Sequence, residues 1–129
     1  MAMENEKRKF DLEDRLVDFA CLALEVCDRL PQSKSGQNLA YQLSKSCTAS
    51  ALIYGEAQAA ESPADFIHKL KLILKEVRES RINLKIIIKK PVSINQTNAK
   101  ALAECNQLMA IFMASIETAK RNQRKRDKK

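Results

Sequence analysis

The chain has 129 residues, 45% of them apolar and 5% aromatic, with two glycines and three prolines. That composition argues against a β-sandwich or a doubly wound sheet and suits one soluble, strongly helical domain whose core needs neither disulfides nor metal. The formal charge of +7 is unevenly placed, because residues 120–129 (KRNQRKRDKK) alone hold seven cations and one acid. Residues 1–65 carry 7 cations and 11 acids, residues 66–129 carry 16 and 5, so a polyanion would meet the C-terminal half.

No stretch approaches the ~18 apolar residues of a membrane span, and residues 1–10 (MAMENEKRKF) lack the apolar segment of a signal peptide. The expectation is a cytoplasmic protein. Cys21, Cys27, Cys47 and Cys105 lie among apolar neighbours, without the C-x-x-C or Cys/His pairing of a zinc or redox site, and read as buried free thiols.

The first predicted helix covers residues 11–30, where Leu12, Leu16, Phe19, Ala20, Ala23, Cys27 and Leu30 recur at three- and four-residue spacing. Asp11 is its expected N-cap, acids fill its first turn, and Pro31 stops it. A second helix is expected after Gly36, with Leu39, Leu43, Ser46, Cys47, Ser50, Ile53, Tyr54 and Ala57 on its apolar face and small residues in its middle. The strongest start signal is Ser62-Pro63-Ala64-Asp65: Ser62 caps, Pro63 suits the first helical position, and Asp65 returns a hydrogen bond. A third helix then runs from Pro63 to about Lys89 with a core face of Phe66, Leu70, Ile73, Val77, Leu84 and Ile88. Pro91 breaks it, and caps are expected among residues 93–97. The fourth places Leu102, Cys105, Leu108, Met109, Phe112, Ile116 and Ala119 on one side. Four such helices with short connections predict an all-α, antiparallel up-down-up-down four-helix bundle over residues 1–119. Residues 120–129 are expected as a frayed or disordered basic tail.

Catalysis is poorly provided for. His68 is the only histidine, and no P-loop, dinucleotide fingerprint, nucleophile–base pair or Glu-x-x-His di-iron motif accompanies it. Neither an enzyme nor a metal or other cofactor is expected. The third helix is more informative, since Lys71, Lys75, Arg78, Lys85 and Lys89 follow at helical spacing along one ridge about 27 Å long. The ridge, with Lys120, Arg121, Arg124, Lys125 and Arg126 in the tail, is a candidate surface for phosphate backbones; Glu76 and Glu79 beside it allow instead a merely solvated face. Aromatics are too few for base stacking, so contact would be to the backbone of RNA or DNA. Ile67, Ile82 and Ile86, flanked by Leu72 and Ile87, fall on or near the same outer face and are candidates for self-association.

Within residues 42–89, Ser46 and Ser50, Tyr54-x-Glu56-Ala57, Ser62-x-x-Asp65-Phe66-Ile67-x-Lys69-Leu70-Lys71, Leu74-Lys75-Glu76 and Glu79-Ser80 resemble the bacterial four-helix-bundle proteins encoded in intervening sequences of large-subunit ribosomal RNA genes. Tyr54, Glu56, Asp65, Phe66, Lys69, Glu76 and Glu79 match that family's motif. Where the family often shows Asn before the tyrosine this chain has Ile53, and Ile82-Asn83 stand where it often has Tyr-Trp. The resemblance implies an antiparallel bundle assembled as a ring, typically a homopentamer, without known enzymatic activity. The accessory protein of diversity-generating retroelements looks like a relative, and there a basic pentamer binds nucleic acid and a reverse transcriptase. The function expected is therefore a non-enzymatic oligomeric bundle that binds nucleic acid through the third helix and the tail. The alternative is a structural adaptor for a protein partner.

Overall fold

The computed structural model describes residues 11–90 and 96–128, and among them it is built of four α-helices: α1 (Leu12–Asp28), α2 (Lys34–Gln58), α3 (Pro63–Lys89) and α4 (Gln96–Asp127). The expectations for residues 1–10, for Pro91, for the caps among residues 93–95 and for Lys129 lie outside the described residues.

Local chemistry sets the helix starts. The Asp11 side chain accepts from the Asp14 amide and the Ser62 side chain from the Asp65 amide, each satisfying a donor that the first turn leaves without a partner. Asp65 returns a bond to the Glu61 amide at 3.4 Å, one residue earlier than a reciprocal capping box would place it. The second helix begins earlier than its apolar pattern, because Ser33 caps it by accepting from the Gly36 amide at 3.1 Å. Gly36 thus lies inside α2, and a Cβ there would stand 2.0 Å from the Pro31 carbonyl oxygen. The loop can fold back on the helix because that position has no side chain.

Cross-helix hydrogen bonds establish the topology. Cys27 Sγ donates to Ala40 O and Cys47 Sγ to Ala20 O, so α1 and α2 run in opposite directions. Ser46 meets Ser80 while Lys90 reaches Ser35, so α2 and α3 also run in opposite directions. Cys105 Sγ donates to Val77 O and Arg81 to Asn106 between α3 and α4. Arg29 to Thr97 and Arg15 to Gln107 close α4 back on α1. Each helix has two neighbours and the diagonal pairs make no backbone approach, giving the antiparallel up-down-up-down bundle.

The core runs down the centre from Leu16, Phe19 and Val26 through Leu43, Ile73, Val77 and Leu84 to Leu108 and Phe112. Small residues line the seams: Ala20, Ala23, Cys47, Ser50, Ser80, Ala101 and Cys105 are all buried, which lets neighbouring backbones approach closely enough for thiols to reach carbonyls. The buried face of α3 is wider than a single apolar stripe, taking in Ile67, Leu74 and Ile87 as well as the expected Leu70, Ile73, Val77 and Leu84. This helix packs against both α2 and α4, and two partners cover more of its circumference than one. Ile67 is therefore only 6% exposed and leaves the candidate self-association surface; Ile87 is buried too, and Ile88, expected in the core, is half-buried.

The thiols also divide. Cys47 and Cys105 are buried, Cys27 is half-buried and Cys21 is exposed on the outer side of α1, correcting the expectation of four buried thiols. Burial pushes the Cys47 and Cys105 thiols up to about 12 and Cys27 to about 11, so each stays protonated near neutral pH.

Candidate nucleic-acid interface

The largest departure from the sequence pattern is at the C-terminal end. Apolar residues stop at Ala119, yet α4 continues to Asp127, so residues 120–127 form helix where a frayed or disordered tail was expected. Hydrophobic periodicity carries no signal there. Propensity does: Lys, Arg and Gln are good helix formers, Gly and Pro are absent from the segment, and cations favour the negative end of the helix dipole. α4 is therefore about 48 Å long.

This last part of α4 presents Arg121, Arg124, Lys125 and Arg126 as exposed side chains, with Lys128 exposed just beyond it. Lys120 turns back toward Glu117, with 3.9 Å between Nζ and Oε1; the others have no ion pair among the described residues. The arrangement is a rod of positive charge, with guanidinium forks and ammonium groups around its circumference, able to donate to phosphate oxygens from several directions.

On α3, Lys71, Lys75, Arg78, Lys85 and Lys89 are all exposed, and Ile82 and Ile86 are 55% and 45% exposed in their midst. His68 is exposed on the same helix. A polar groove of about 390 Å³ lies between the α3 ridge and α2, lined by Gln42, Lys45, Lys75, Glu76, Glu79 and Asn83. Partial burial, then the neighbouring Glu79, raises the pKa of Glu76 above the ordinary carboxylate value.

A second groove, of about 900 Å³, opens between the end of α2, the start of α3 and the later part of α4, with Ala57, Phe66, Ile111, Ala114 and Ala119 on its walls and Arg126 at its rim. α1 pairs with the first half of α4, where Arg15 bonds to Glu104 at 2.6 Å and to Gln107 at 2.6 Å, and the groove belongs to the half beyond.

The matched motif residues gather mainly on the α2–α3 seam. Lys69 faces Glu56 at 3.9 Å, an inter-helix pair half open to solvent. Ser62 and Asp65 cap α3, Phe66 packs half-buried against the core, and Tyr54 meets Phe112 edge-on, centroids 6.1 Å apart, across the diagonal of the bundle. The buried Ser46–Ser80 hydroxyl pair, 2.7 Å apart, is the feature hydropathy conceals: two small polar residues at core spacing on neighbouring helices were its signal. Among the described residues no group of His, Cys, Asp and Glu could hold a metal ion, and no helix is long and apolar enough to cross a membrane.

The architecture defines an all-α protein of the four-helix type, with basic surfaces on α3 and α4. A crystal structure of a protein of unknown function from the S23 ribosomal protein family of Bacteroides thetaiotaomicron has the same fold, with a TM-score of 0.74 and 23% sequence identity over 81% of this chain and 96% of that one. No family model matches the sequence, and no curated protein matches it.

Proposed function

We propose that this protein is a non-enzymatic, self-associating helical bundle that binds the backbone of nucleic acid through the cationic end of α4. The observation that carries this reading is the continuation of α4 to Asp127 with its arginines and lysines exposed. Charges fixed on a helix keep a constant spacing and neutralise phosphates with less ordering than a coil of the same composition would need. The resemblance within residues 42–89 to proteins encoded in ribosomal RNA intervening sequences supports the oligomeric part, and implies a ring of five. Five copies of the sequence 120–129 would then bring about 30 net positive charges to one polyanion.

The test is binding of RNA and duplex DNA by the full chain and by a form ending at Ala119, across about 50 to 300 mM salt, with molar mass measured in parallel. The expected outcome is tight binding that falls steeply with salt, with a log–log slope shallower by roughly 4 to 6 in the shortened form. No binding at low salt by an intact full-length oligomer would overturn it. The second reading, an adaptor for a protein partner, is favoured by the groove between α2, α3 and α4, whose walls are largely apolar.

A further inference from the structure

The outer faces of α1 and α3 lie on helices at opposite corners of the bundle, and their charges are opposite. On α1 the residues Asp14, Asp18, Cys21, Glu25 and Asp28 are all exposed and follow one another by four, three, four and three, the spacing of a seam for a neighbouring helix. The only cation of α1, Arg15, is turned into the seam with α4, where its hydrogen bonds go to Glu104 and Gln107. Asp18, Glu25 and Asp28 have no ion-pair partner among the described residues. On α3 the exposed residues Lys71, Lys75, Arg78, Ile82, Lys85 and Lys89 follow by four, three, four, three and four. The two stripes share one period, and each carries an exposed apolar element: Val17 (44%) with Cys21 on α1, Ile82 (55%) with Ile86 (45%) on α3.

From this complementarity we infer that the outer face of α1 in one copy of the chain packs lengthwise on the outer face of α3 in the next. The acidic stripe is about 21 Å long and the basic one about 27 Å, so the shorter lies within the longer. Carboxylates of α1 meet lysines and arginines of α3 along the seam, and the apolar groups at mid-stripe exclude water between them. Because the two faces sit on opposite corners, the contact is heterologous. Every copy offers one α1 face and one α3 face, and association continues beyond a dimer until it closes on itself. The α3 ridge is thereby occupied by a protein polyanion, which leaves the end of α4 for nucleic acid.

This inference rests on the self-association in the proposed function and not on its nucleic-acid part. It is tested on the full chain without nucleic acid, by molar mass from light scattering at about 150 mM salt, where the Debye length is about 8 Å. Asp18→Lys with Glu25→Lys should shift the protein from oligomer to monomer. Lys75→Glu with Arg78→Glu should do the same. The chain carrying all four changes, in which the charges have exchanged sides, should regain the oligomer. All four side chains are exposed, so helical circular dichroism should match the unmodified protein in each case. An unmodified chain that is monomeric, an α1 variant that keeps its oligomer, or a fourfold variant that stays monomeric would each overturn the inference. An oligomer that dissociates as stated yet fails to bind RNA or DNA would remove the nucleic-acid reading alone.

Discussion

The middle of α3 and the end of α4 are both helix, for different physical reasons. Around Ile73, Val77, Ser80 and Leu84 the helix is packed between α2 and α4 with its inner side chains buried, and burial of apolar surface stabilises the segment. From Lys120 to Asp127 nothing apolar is available, so helix rests on propensity, the dipole and continuity with the packed turns before it. Stability is concentrated in the first region and charge in the second, so changes in one should leave the other's property largely intact.

The sharpest way to break that division is Leu70→Ala. Leu70 is 2% exposed and part of the core, and its truncation leaves a cavity there. A loss of about 2 to 5 kcal/mol in denaturant unfolding is expected, against less than about 0.5 kcal/mol for Lys75→Ala on the exposed face of the same helix. Equal losses would mean that the two faces of α3 are not distinct.

Ending the chain at Ala119 addresses the other region. Because α1, α2 and α3 and the apolar part of α4 are retained, unfolding free energy should change by less than about 1 kcal/mol while helical signal falls by the residues removed. A large drop in stability would show that the end of α4 is packed after all.

The smallest expected effect lies in the first region, at the rim of the α2–α3 groove. Glu76 has its pKa raised by partial burial and then by Glu79. A carboxyl whose folded pKa exceeds its unfolded value favours folding at low pH and loses that contribution as pH rises through the folded value. Glu76→Gln should therefore be slightly more stable than the unmodified protein at pH 7. The gain should be within about 0.5 kcal/mol because solvent screens the pair, and should vanish below about pH 4. A gain that persists at pH 3 would point to packing of the amide in place of charge.

Periodicity revealed the four helices because each must bury a face, and burial leaves a mark every three or four residues. Start signals were equally legible at Asp11 and at Ser62-Pro63, since a cap is chemistry between residues three apart. Gly36 was read as the residue before α2, although it lies within the first turn; the reason, the Pro31 carbonyl beside it, belongs to the folded loop. Likewise Ile67 and Ile82 are the same residue type on the same helix, and only the packing of α2 and α4 around α3 buries one and exposes the other. The candidate cations on α3 and beyond Ala119 could be listed from composition and spacing, but not the helical course of those on α4.

By itself the sequence determined the number of helices, the start signals of α1 and α3 and the bias of charge toward the C-terminal half, all properties of neighbours along the chain. Tertiary structure decided which residues each helix shares with two neighbours, joined Ser46 to Ser80 in the interior, and set the acidic stripe of α1 and the basic stripe of α3 on opposite corners. Those are distances between residues far apart in sequence, and packing alone sets them.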